Sequence, residues 1–160
     1  MKILILGLTG SGKSTCAKRI AEKFSLMLVE ADDEVLRLNR GVWPKQESVI
    51  DKYFEMTNDE VLRKDTILYV ISWLEKERIK EFTNKGFKII ELHADMDELL
   101  KRKQHRDDPS TEEINRFWTN YHNYLRVVND PKLKNVFLLK LDTTNLAPKQ
   151  TEELVLKVLV

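Results

Sequence analysis

An apolar run that stops abruptly on glycine constrains this chain more than any other feature. Residues 2–6 read KILIL, and GLTGSGKST follows without a break. A near-continuous apolar run suits a strand covered on both faces of a parallel sheet; a strand with one face in water would alternate. The next eight residues, Gly7–Ser14, match G-x-x-x-x-G-K-[ST]. Beyond Lys13, residues Cys16, Ala17, Ile20, Ala21 and Phe24 fall on one helical face. Strand, glycine loop and helix in that order form the context in which the motif carries chemistry.

That chemistry is the binding of a polyphosphate. Glycines allow unusual backbone angles and leave no Cβ in the way. Successive N–H groups then converge on phosphate oxygens at a helix N-terminus, whose dipole favours negative charge. The expected binding set for ATP is Gly7, Thr9, Gly10, Ser11, Gly12, Lys13, Ser14 and Thr15. In it, Lys13 would reach the β- and γ-phosphates, Ser14 would ligate Mg²⁺, and Thr15 would lie toward the α-phosphate. Cys16 sits on the inner face of the helix and reads as a small buried hydrophobe rather than a redox residue.

The rest of the chain repeats the alternation. Further strands are expected at 26–30 (LMLVE), 66–72 (TILYVIS), 87–93 (FKIIELH) and 136–141 (VFLLKL). Helices are expected over 46–56, over a short segment capped by Thr57 and Glu60, and over 73–84, 97–106, 111–128 and 151–160. Strand–helix alternation argues for an α/β architecture with a parallel sheet. At 160 residues the length suggests one domain. A net charge of +1 gives no electrostatic footprint for a nucleic-acid binder, although a local basic groove stays open. One cysteine fits a reducing compartment, and no run is long enough for a membrane span. The expectation is a cytoplasmic protein, monomer or homodimer, acting on a small molecule.

A glycine loop alone does not separate switch, motor and kinase. The N-K-x-D signature for guanine is missing, and the strand at 66–72 ends in Ser72-Trp73 with no acid at its tip. The second half is more specific. Arg102 and Arg106 lie one helical turn apart, Asp107 and Asp108 follow, and Arg116 comes on the next helix. Guanidiniums around a short polar loop suit phosphoryl transfer, where negative charge spreads over the migrating group and water must be kept out. The plain alternative is a solvated helix face, with the aspartates as ion-pair partners or caps.

With these residues the chain resembles the P-loop nucleoside and nucleotide kinases, a family that includes adenylate kinase. The carrying features are Gly7–Ser14, "RDD" at 106–108, "INR" at 114–116 and "LDTTN" at 141–145. The resemblance implies a three-layer fold around a five-stranded parallel sheet of order 2-3-1-4-5. It also implies a short lid around 104–113, an acceptor-binding helical region around 33–64, and Thr143 bordering the adenine. Catalysis would fall to Lys13, Arg102, Arg106 and an aspartate after the second strand.

That aspartate is Asp33, with Asp32 as the alternative, in "VEADDEVLR", a base for a hydroxyl acceptor, with Arg37 one turn on and Arg116 as further acceptor contacts. A helix cap at Asp32 or Asp33 is the plain alternative. The main expectation is transfer to a nucleoside or nucleoside monophosphate. The D-G-F-P-R motif of adenylate kinases is, however, replaced by "VISWLEKERIK". That keeps three others open: a gluconate- or shikimate-type metabolite kinase, a polynucleotide 5′-hydroxyl kinase, and a nucleotide-binding regulator with little transferase activity.

Overall fold

A computed structural model describes residues 1–106 and 108–160. The elements, in order, begin with β1 (Lys2–Leu6), α1 (Lys13–Phe24), β2 (Leu28–Glu30), α2 (Ala31–Leu38), α3 (Glu47–Leu62) and β3 (Ile67–Ile71). They continue with α4 (Lys76–Asn84), β4 (Lys88–His93), α5 (Met96–Arg106), α6 (Thr111–Val128), β5 (Phe137–Asp142) and α7 (Pro148–Leu159). The strands form one parallel sheet of order β2-β3-β1-β4-β5. This is the order implied by the resemblance.

β1 is central because its side chains have a buried destination on both faces. Ile3 and Ile5 point into a core shared with Cys16, Ala17 and Ile20 of α1 and Val155 and Leu159 of α7. Leu4 and Leu6 point the other way, to Ile79 and Phe82 of α4, Leu99 of α5 and Phe117 and Tyr124 of α6. The KILIL run is therefore apolar throughout because neither face meets water. Cys16 is buried, and burial pushes its thiol up to about 12, so it stays protonated as expected of a packing residue.

Several boundaries differ from the sequence reading. The two helices expected over 46–56 and from Thr57 are one continuous helix, α3. Thr57 is not a cap: its hydroxyl donates to the Tyr53 carbonyl one turn back, 2.9 Å away. A threonine can satisfy its hydroxyl within a helix in this way, so the local capping pattern misleads. α4 begins at Lys76 rather than at Trp73, which leaves Ser72, Trp73, Leu74 and Glu75 as a connector at the tip of β3. α7 begins at Pro148, a residue suited to a first helical turn, and buries Thr151, Val155 and Leu159 while Leu154 is exposed. α2 starts directly at the end of β2, so Asp32 and Asp33 lie within its first turn instead of capping it. Acidic side chains there favourably face the helix dipole. Among the described residues no helix is long and apolar enough to cross a membrane.

Candidate active site

The carboxyl ends of β1, β2 and β3 meet the glycine loop, as ligand sites in open α/β sheets do. The loop bounds a cavity of about 610 Å³. Gly10 and Gly12 hold φ of 92° and 94°, the left-handed region that L side chains rarely adopt. Gly7 serves differently. A Cβ there would lie 2.1 Å from the Leu92 carbonyl oxygen, so its bare backbone lets the loop lie against β4. Gly7 is also the one member of the expected nucleotide set that does not line the cavity; Thr9 through Thr15 do.

Lys13 is buried at the floor, and its ammonium donates to the Leu8 carbonyl at 3.1 Å. Desolvation lowers it to about 8, against the attraction of Asp32 and Glu30 and with some repulsion from Arg106. The Ser14 hydroxyl donates to the Glu30 carboxylate at 2.5 Å. Asp32 lines the same cavity while remaining solvent-accessible. Its carboxyl is pushed up from the usual range chiefly by desolvation and also by Asp33 and Glu30, with Lys13 opposing. Ser14, Glu30 and Asp32 thus present hard oxygen donors on one wall, the kind of set that suits Mg²⁺. Asp33 is exposed and lines neither this cavity nor the second one described below. The sequence reading put Asp33 first, with Asp32 as its alternative; both are exposed, and the first turn of α2 brings Asp32 rather than Asp33 to the cavity wall.

The arginine pair on α5 also divides. Arg102 donates to Glu98 (2.8 Å), to the Gly10 carbonyl (2.9 Å), to the Thr143 hydroxyl (3.3 Å) and to the carbonyls of Thr143 (2.8 Å) and Thr144 (3.3 Å). A guanidinium has five N–H donors, and here each has an acceptor. Arg102 is therefore a strut between the glycine loop and the segment after β5. Thr143 completes that joint: its buried hydroxyl lies 3.1 Å from the Ser11 carbonyl and 2.9 Å from the His93 carbonyl. Arg106 lines the cavity close enough to couple to Lys13, and among the described residues it has no carboxylate partner. His105 lines the cavity too.

Two expected phosphate contacts are not brought here. Arg37 is exposed and paired through two nitrogens with Glu34, at 2.9 and 2.7 Å. Arg116 is exposed and paired with Glu112 at 3.3 Å. Neither lines this cavity or the second one described below. The suggested pairing or capping role of Asp107 lies outside the described residues.

A second cavity, about 480 Å³, adjoins the first at Ile71 and Ser72. Its walls come from α3 (Asp51, Phe54, Glu55, Asn58), the β3–α4 connector (Trp73, Leu74, Glu75) and Arg78 of α4. Asn58 is buried and accepts from the Tyr69 hydroxyl at 2.8 Å, while its amide donates to Glu55 at 3.3 Å. The expected acceptor region 33–64 covers the α3 part of this wall without naming its residues, and the sequence reading missed Glu30. The acid at the end of β2 was a usable signal for Glu30. No spacing rule brings α3 to the tip of β3.

A phosphate-binding loop on a 2-3-1-4-5 sheet, with a second cavity beside it, defines a P-loop small-molecule kinase. The family model for shikimate kinase matches residues 9–159, and the chain belongs to that family. A shikimate kinase from Caldicellulosiruptor bescii is 27% identical, over 98% of this chain and 94% of that protein. A bifunctional shikimate kinase/3-dehydroquinate synthase from Thermotoga maritima is 30% identical over 65% of the chain, and the match spans 19% of that larger protein. Among solved structures, shikimate kinase from Acinetobacter baumannii in complex with shikimate superposes with a TM-score of 0.78 at 15% identity, covering 99% and 92% of the two chains. A gluconokinase from Sinorhizobium meliloti gives 0.70 at 17% identity, covering 99% and 90%. At such identities the structures speak to fold alone. The family nevertheless shifts the weight from the nucleoside acceptor to the metabolite alternative, while the kinase class stands.

Proposed function

We propose that this chain transfers the γ-phosphoryl group of ATP to a hydroxyl of a small metabolite. The single observation that carries this reading is Asp32, a carboxylate lining the same cavity as Lys13, which adjoins the second cavity at Ile71 and Ser72. In the reaction the bond between the γ-phosphorus and its bridging oxygen breaks, and a bond from the acceptor oxygen forms. The hydroxyl proton goes to Asp32, and ADP leaves. A carboxylate with a raised pKa is a better proton acceptor than an ordinary one at the same geometry.

The loop amides and Lys13 hold the nucleotide's phosphates, and Arg106 meets charge on the migrating group. Arg102 and Thr143 keep the loop in register with the segment after β5. Mg²⁺, held through Ser14 and Glu30 with Asp32 nearby, would neutralise charge on the β- and γ-phosphates when bound. A short lid around 104–113 and an acceptor region around 33–64 complete the reading, since both segments border the cavities.

The direct test is ADP release with ATP, Mg²⁺ and a panel of metabolite alcohols, nucleosides and nucleoside monophosphates. Acceptor-dependent release that disappears in Asp32→Asn is expected. Slow release indifferent to every acceptor would instead favour a nucleotide-binding regulator.

A further inference from the structure

The second cavity has a composition that selects against one class of acceptor. Three carboxylates line it, Asp51, Glu55 and Glu75, against one cation, Arg78. Arg78 is not available to an incoming anion. Its guanidinium bonds Glu55 through Nε at 3.1 Å and through a second, shorter contact. It also bonds Asp59 at 2.9 Å and Glu81 at 2.7 Å. With these three partners its pKa is raised further, so its charge is spent within the wall. Among the described residues, no cation pairs with Asp51 or Glu75. The remaining wall is the Trp73 ring, 40% exposed, with Phe54, Leu74 and the Asn58 amide.

An acceptor carboxylate or phosphate placed here would lose its hydration and meet the unpaired Asp51 and Glu75 carboxylates, with the one cation, Arg78, already held by three others, a costly combination. An uncharged polyol would keep hydrogen-bond acceptors on every side and an aromatic face. An ammonium group would gain the two unpaired carboxylates and the Trp73 face. Lys13 and Arg106 line the first cavity, where the nucleotide's own phosphates would take them up.

Resting on the kinase reading above, we infer that the acceptor is an uncharged or cationic alcohol, not an acid or a phosphate ester. Shikimate, the ligand of one structural neighbour, is a carboxylate, so the inference separates this chain's acceptor from that one.

The experiment uses matched alcohols that differ in charge: gluconate, glucitol and protonated glucosamine, with shikimate and its methyl ester as a second set. Binding is read first, at the Trp73 indole resonance, with the protein held by a non-hydrolysable ATP analogue. Uncharged and cationic members should shift that resonance at concentrations at least tenfold below their carboxylate counterparts. The same order should appear in kcat/KM for ADP release. The double variant Asp51→Asn, Glu75→Gln should narrow the preference to under threefold. A carboxylate that binds or turns over as well as its uncharged counterpart overturns the inference. So does a Trp73 resonance that no uncharged or cationic member moves. The kinase reading fails separately, when the ATP analogue leaves the Gly10 and Gly12 amides unmoved.

Discussion

The two cavities meet at Ile71 and Ser72 and are opposite in kind. The first is built from backbone: a nest of amides, two glycines at positive φ, and cations from α1 and α5. The second is built from side chains on α3, α4 and the connector between β3 and α4, and it is acidic. A polyphosphate needs the same cradle whatever it is used for, so the first cavity follows a motif. The acceptor varies from one kinase to another, so the second follows only from which surfaces happen to pack. On the proposed reading, the first cavity supplies generic chemistry and the second supplies specificity.

The strongest way to sharpen that contrast is to disable each half separately. Lys13→Ala should lower turnover by about a thousandfold or more, because the ammonium acts where charge builds up on the phosphates. Its circular dichroism spectrum should match the wild type. Retained activity in that variant would remove the basis for the donor cavity. Asp32→Asn should lower kcat by about a hundredfold to ten-thousandfold with little change in ATP affinity, whereas Asp33→Asn should leave both close to wild type. Equal losses in the two variants would mean that the first turn of α2 does not separate them.

The arginines offer an intermediate effect that splits stability from rate. Arg102→Ala leaves four acceptors on the glycine loop, Thr143 and Thr144 without their donor. It should cost about 2 kcal/mol of unfolding free energy, read by denaturant titration. Arg106→Ala should leave the denaturation midpoint in place and lower kcat. A reversed pattern would overturn the division between strut and charge stabiliser. Arg37→Ala and Arg116→Ala should change neither quantity measurably, because both side chains are solvent-exposed and paired at the surface.

The smallest effect concerns protons. Lys13 is lowered to about 8 by burial without nucleotide, and bound phosphate favours its charged form. ATP binding near pH 8 should therefore take up a fraction of a proton, and affinity should fall as pH rises through that value. Calorimetry in buffers of different ionisation enthalpy reads the uptake directly. For Asp32 the sign is opposite in its consequence for rate. Turnover should fall as pH drops through its raised pKa, because the protonated carboxyl cannot accept the hydroxyl proton.

What could be read from sequence follows this same divide. KILIL, the glycine loop and the face Cys16–Phe24 are contiguous, and contiguous patterns report local structure. Thr57 shows the limit even there, since an i−4 bond to Tyr53 imitates a cap in sequence while continuing a helix in space. The Arg102–Arg106 spacing was visible, but not the acceptors that absorb all five donors of Arg102, two of which lie about ninety and forty residues away. Asp32 and Asp33 are adjacent and chemically identical, so only the placement of α2 against Lys13 could tell them apart.

By itself the sequence determined a parallel α/β sheet, a polyphosphate cradle and a buried, inert cysteine, because each depends on neighbours in the chain. The tertiary structure alone decided which aspartate lines the first cavity, which arginine of α5 is bound up as a strut, and what charge lines the second cavity. Those three depend on α2, α3, α4 and α5 arriving at one end of the sheet. Long-range packing sets that arrival, and no period or spacing along the chain encodes it.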